Sequence, residues 1–138
     1  MPRPYSATIE RLKNAGLRPT RQRLALAKLL FDREDRHLTA EQLHAEAAAD
    51  RVPVSLATVY NTLHQFTGAG LLREVVVEAG RSYFDTNIKA HSHFFHQDSG
   101  RLEDISEAQV ALKNVPEAPP GTQITSVDVI IRVSSETE

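Results

Sequence analysis

The chain contains no cysteine. That excludes a disulfide framework, a thiolate metal site and a cysteine nucleophile. No apolar run approaches the roughly 20 residues that span a bilayer. The opening MPRPYSATIERL lacks the apolar core of a signal peptide. A soluble, cytoplasmic protein with no membrane partner is therefore expected. A Gly-rich phosphate loop and a nucleophile elbow are also missing, and the chain is not expected to be an enzyme. Apolar residues make up 41% of the 138 residues, which suits a folded chain rather than a disordered one. This length allows one large or two small domains.

Net charge is small as well, at −2, but it hides a split. Residues 1–83 carry 12 Lys or Arg against 9 Asp or Glu, net +3; residues 84–138 carry 4 against 9, net −5. Within residues 1–31 seven basic residues accompany a single acid, Glu10. A basic first half joined to an acidic second half is the asymmetry of a protein whose first half meets a polyanion; chance clustering of so few charges is the plainer alternative.

Charge is also nearly missing from one helix face. In PVSLATVYNTLHQFTGAGL, residues 53–71, Val59, Leu63 and Phe66 form one apolar stripe at helical period. Ser55 stands at the N-cap, and Gly68 and Gly70 are places to stop. Opposite the stripe lie Ala57, Tyr60, Asn61 and His64, small or planar and able to hydrogen-bond. A face of this kind suits a helix in the DNA major groove, where Asn pairs with adenine and an apolar group meets the thymine methyl. With Ser55 and Thr58 of the first turn, these are the candidate DNA contacts. An ordinary helix with a bland polar face is the alternative.

Three helices are expected before it. Tyr5 to Ala15 ends at Gly16. Arg21 to Asp32 is capped by Thr20, with Arg18, Arg21 and Arg23 gathered at its start, where cations oppose the helix dipole and a phosphate contact would account for them. Ala40 to Asp50 opens with a Thr39/Gln42 capping box and a Leu38/Leu43 hydrophobic staple. After Gly70, residues 71–78 and 82–85 read as a β-hairpin turning at Ala79-Gly80-Arg81. Helices followed by a hairpin outline a winged helix-turn-helix, in which Arg73 and Arg81 reach phosphate from the wing. Thr86 to Ala90 reads as a hinge. His91 to Gln97 and Arg101 to Ile105 read as paired strands, Glu107 to Asn114 as a short helix, and Ile124 to Val133 as a long strand. Residues 134–138 form an acidic tail, expected to be disordered. The expected fold is α+β: a winged helix-turn-helix domain at residues 1–84, then a small α/β dimerisation domain at residues 85–138, about a hinge near 85–90. The second part has few apolar residues, so it is expected to bury a face against a twin.

His91-Ser92-His93 sits in an expected strand, where period 2 puts both imidazoles on one face. Asp104 lies on the partner strand, Asp85 ends the wing, and His37 precedes a helix of the other half. A nitrogen and oxygen donor set without sulfur suits Fe²⁺, Mn²⁺ or Zn²⁺. Two surface histidines on a strand are the plainer alternative. Haem is a further candidate ligand for His91, His93 and His96, beside Phe94 and Phe95. Two His and a carboxylate is also a catalytic set, and metal or haem storage without DNA binding is a third reading.

The motifs GLRPTRQR, HLTAEQL, SLATVYNTL, AGLLRE, YFD and HSHFF…GRLEDI resemble the Fur superfamily of metal-responsive bacterial repressors over nearly the whole chain. YFDTN, the histidine run into two phenylalanines, and the ending VPEAPPG…VDVIIR look most like its iron response regulator branch. The resemblance implies a homodimer on AT-rich, pseudo-palindromic double-stranded DNA. It places the regulatory metal, Fe²⁺ or Mn²⁺ with Zn²⁺ as a substitute, on His37, Asp85, His91, His93 and Asp104, and the base-contacting tyrosine on Tyr60. Paired CxxC motifs hold a structural zinc in many members; here His96 and Ser99 stand in the first pair's place and the second pair is missing, so no structural zinc held by four cysteines is expected. A second metal site of some members needs a histidine beyond His96, and there is none. The branch implies control of iron and haem homeostasis, with haem opposing DNA binding; without the Cys-Pro motif of some members, a haem response must run through histidines. Peroxide sensing by iron at the same site, or plain manganese or iron sensing, is the alternative within the superfamily.

Overall fold

Thr20, Thr39 and Ser55 each accept a hydrogen bond from the backbone N–H three residues on, at Arg23, Gln42 and Thr58. These bonds satisfy donors that a helix start leaves open. The structure, a computed structural model, describes residues 5–89 and 91–136. The expected hinge end Ala90 and the last two tail residues, Thr137 and Glu138, lie outside the described residues. The chain divides into two units, Met1–Ile88 and Lys89–Glu138.

The first unit holds helices α1 (Ser6–Asn14), α2 (Arg21–Phe31), α3 (Ala40–Ala49) and α4 (Leu56–Gly68). It also holds strands β1 (His37–Leu38), β2 (Arg73–Glu78) and β3 (Arg81–Asp85), in the antiparallel order β1-β3-β2. The Thr39/Gln42 capping box is complete, and Leu38 and Leu43 are both buried as a staple requires. The α4 stripe of Val59, Leu63 and Phe66 is wholly buried, in one core with Leu12, Leu26, Leu30, Leu72 and Phe84. Each such side chain contributes about 1.5–3 kcal/mol by leaving water. Helix α4 ends where Leu71 N–H bonds to the Phe66 carbonyl and Gly70 N–H to that of Thr67. Gly70 has φ 82° there, in the left-handed region that this ending demands. Helix α3 ends the same way, but with Arg51 at φ 59° in the glycine position. The helix ends differ from expectation by one residue each: α1 runs from Ser6 to Asn14 rather than Tyr5 to Ala15, α2 stops at Phe31 rather than Asp32, and α3 at Ala49 rather than Asp50. Strand β1 is not apparent in the sequence, because two residues carry no periodicity.

The second unit is a three-stranded sheet of β4 (Ser92–His96), β5 (Leu102–Ile105) and β6 (Ile130–Val133). β4 is central, antiparallel to β5 and parallel to β6. Three expectations are corrected here. His91 lies just outside the strand. The expected helix at 107–114 is only a 3₁₀ turn, Glu107–Gln109; Leu112 is 52% exposed and finds no core to pack on, and short helices need such packing. The expected strand at 124–133 pairs only over β6, because β4 offers no more edge; Ile124 and Val127 remain exposed. In the acidic tail, Ser135 N–H donates to Asp98 at 2.6 Å, which holds the Asp98 carboxyl below its usual range.

Candidate metal centre and nucleic-acid interface

Pairing of β4 with β5 sets His93 opposite Asp104. Oδ1 of Asp104 lies 3.2 Å from Nε2 of His93 and 3.2 Å from Nε2 of His91. The two imidazole centroids are 4.3 Å apart, and the three donor atoms all fall within 4.8 Å of one another. His93 is buried, whereas Asp104 is 57% exposed, so one side of the cluster faces solvent. His91 Nδ1 lies 2.7 Å from the carbonyl oxygen of Lys89. A carbonyl can only accept, so Nδ1 carries a hydrogen and a neutral His91 has its lone pair on Nε2. That lone pair faces a carboxylate oxygen. The two repel unless a cation, a proton or a metal ion, comes between them. Holding one ring nitrogen to a carbonyl while the other points at the site is how metal-binding histidines are oriented. The donor set therefore fits a divalent cation of the Fe²⁺, Mn²⁺ or Zn²⁺ kind.

In the first unit, His37 and Asp85 are partners in the β1–β3 ladder. Opposite residues leave a sheet on the same face. His37 packs edge-on against Tyr83 at 5.9 Å, and Asp85, buried, accepts from the backbone N–H of Asn87 at 2.9 Å. The five expected ligands thus fall into a pair in one unit and a triple in the other. Arg36 secures the pair: its N–H donates to Thr86 Oγ1 at 2.8 Å, and its carbonyl accepts from Thr86 N–H at 2.9 Å. Its guanidinium grips Glu46 of α3 through two bonds, Nη1 to Oε1 at 2.9 Å and Nη2 to Oε2. His96, the third haem candidate, sits on the other parity of β4. It meets Glu103 Oε1 at 2.9 Å and Arg101 Nη2 at 3.2 Å, a different set of partners from those of His91 and His93.

The α4 face is as open as its composition suggests: Ala57, Tyr60, Asn61 and His64 are exposed. Ser55 and Thr58 bond to each other in the cap, hydroxyl to hydroxyl at 2.9 Å. His64 also packs edge-on against Phe84 of the hairpin at 5.5 Å, fixing α4 relative to the wing. The arginines divide by position. Arg18 and Arg21 are exposed at the start of α2. Arg23 is engaged inside the unit, its Nε and Nη2 on Gln65 Oε1 at 3.2 and 3.0 Å and its Nη1 on the Arg18 carbonyl at 2.9 Å. It ties α2 to α4. Arg73 lies at the root of the hairpin opposite Asp85, and Arg81 at the tip. Sequence reasoning misses Gln65, Glu46 and Glu41. Glu41 accepts the Tyr60 hydroxyl hydrogen at 2.6 Å. Nothing local marks these partners, which lie 42, 10 and 19 residues from the groups they hold.

The ferric uptake regulator family model matches residues 14–132. The chain belongs to the ferric uptake regulator family. Among its relatives is the ferric uptake regulation protein of Cupriavidus metallidurans, 38% identical over 100 residues, covering 72% of this chain and 70% of that one. The peroxide-responsive repressor PerR of Staphylococcus aureus is 31% identical over 103 residues, covering 75% and 69%. The ferric uptake regulator of Pseudomonas aeruginosa, solved with manganese, matches the fold with a TM-score of 0.69 at 25% identity, over 93% of this chain and 97% of that one. Membership makes the chain a DNA-binding, metal-responsive transcription regulator of α+β fold, with an N-terminal DNA-binding part and a C-terminal sheet. No helix among the described residues is long and apolar enough to cross a membrane.

Proposed function

We propose that this family member represses genes of iron and haem homeostasis as a homodimer on AT-rich, pseudo-palindromic operators. Residues 1–84 read the DNA through α4 and the wing. Residues 85–138 pair the subunits and sense metal, about a hinge near 85–90. A divalent ion, Fe²⁺ in the cell or Mn²⁺ as its redox-quiet stand-in, is held by His91, His93 and Asp104, with His37 and Asp85 supplied by the other unit. Metal biases the hinge only by its difference in affinity between two arrangements, and donors drawn from both units provide that difference. Haem opposes DNA binding through histidine. The observation that carries the reading is the convergence of His91 Nε2 and His93 Nε2 on Asp104 Oδ1.

The test is a titration of metal-stripped protein onto an AT-rich palindromic duplex, repeated with Mn²⁺ and then with added haem. Binding that tightens with Mn²⁺ and falls with haem supports the proposal; metal-dependent binding indifferent to haem removes the haem arm. Kinship with a peroxide-responsive repressor favours a second reading, in which iron at the same site senses peroxide. A gain of one oxygen on His37, His91 or His93, seen by mass spectrometry after peroxide treatment of Fe²⁺-loaded protein, would support it.

A further inference from the structure

Glu41 stands exposed in the first turn of α3, with its carboxylate turned to the recognition face of α4. There Tyr60 donates its hydroxyl hydrogen to Oε1 at 2.6 Å. Glu41 and Tyr60 share one cleft with Gly80, Arg81 and Ser82 of the hairpin tip. An acid at a helix start complements the helix dipole wherever it occurs. That does not account for an acid joined to a tyrosine on the surface that must approach phosphates, where a negative charge weakens binding to DNA of any sequence. The hydrogen bond also holds the Glu41 carboxyl below its usual range, so it is charged at neutral pH, and it pushes the Tyr60 phenol up.

We propose that Glu41 is a specificity-determining residue of the DNA interface: it fixes the Tyr60 ring for base contact, and its charge penalises DNA that offers phosphates alone. The proposal rests on the reading of α4 as the recognition helix. On the operator, the cost of the charge is offset because a charge-assisted hydrogen bond holds Tyr60 more firmly than a neutral one. On other DNA no such gain accompanies it, and the charge of Arg81, which also acts on Glu41, is present on either DNA alike.

The test uses the full chain loaded with Mn²⁺ and two duplexes of equal length, an AT-rich palindrome and a scrambled mixed sequence, followed by fluorescence anisotropy across a salt series. Glu41→Gln keeps an acceptor for Tyr60 and removes the charge. It should tighten binding to the scrambled duplex by about fivefold and to the palindrome by less, so that their ratio falls. Tyr60→Phe should weaken the palindrome complex and leave the scrambled one nearly unchanged. Glu41→Gln that leaves the scrambled duplex unaffected, or tightens both equally, overturns the proposal. If Tyr60→Ala abolishes the palindrome preference while Glu41→Gln does nothing, only the role of Glu41 fails. If Tyr60→Ala leaves the preference intact, the reading of α4 fails and takes this proposal with it.

Discussion

Replacing Glu46 by Gln tests how the first unit holds β1 in place. The wild-type carboxylate takes two hydrogen bonds from the Arg36 fork, and the side chains are 31% and 20% exposed. The pair is thus neither a surface bridge, worth about 0–1 kcal/mol, nor a fully buried one, whose breaking costs about 3–5 kcal/mol. Gln keeps one acceptor and turns an NH₂ toward the guanidinium, so about 1–2 kcal/mol should be lost at neutral pH. Urea unfolding followed by far-UV ellipticity reads this directly, because the α-helices of the described residues all lie in the first unit. The Arg36 guanidinium holds the Glu46 carboxyl below its ordinary 4.5. The sign follows: the stabilisation is present above the unfolded-state value and is lost as pH falls through the lower folded-state value. Wild type and variant should therefore converge in acid. A deficit of the same size in neutral solution and far below the folded-state value would refute the reasoning, since it would then come from shape and not from charge.

Other substitutions probe separate parts. Arg51→Gly should stabilise the protein by about 0.5–1 kcal/mol, because glycine takes the left-handed conformation at φ 59° without steric cost; a lowered melting temperature would count against it. Leu63→Ala, at a wholly buried site on the α4 stripe, should cost about 2–5 kcal/mol in urea unfolding, and a loss below about 1 kcal/mol would mean that the core collapses around it. Arg21→Ala should weaken palindromic and scrambled DNA alike and lower the salt slope by about one; an unchanged slope would remove the phosphate contact.

The helices are legible because each carries its signal locally. Thr20, Thr39 and Ser55 are capping residues, and Val59, Leu63 and Phe66 keep a helical period. What is not legible depends on distant partners. Residues 124–133 are rich in β-branched side chains, yet a strand extends only as far as its neighbour, and β4 is five residues long. His37-Leu38 becomes a strand only because β3 passes beside it. In the candidate site, period 2 and the hairpin suffice to bring His93 and Asp104 together. The tie of Arg23 to Gln65 and that of Tyr60 to Glu41 are set by how the helices pack, which no spacing within one segment records.

The most direct test of the central claim compares wild type with the His91→Ala/His93→Ala variant, each metal-stripped and then titrated with Mn²⁺, on the AT-rich palindrome. Wild type should bind Mn²⁺ and hold the duplex more tightly when loaded. The variant, with its helical content intact, should bind little metal and show the same DNA affinity with or without it. If the variant retained both its metal and its Mn²⁺-dependent DNA binding, the sensing site would not be built on His91 and His93.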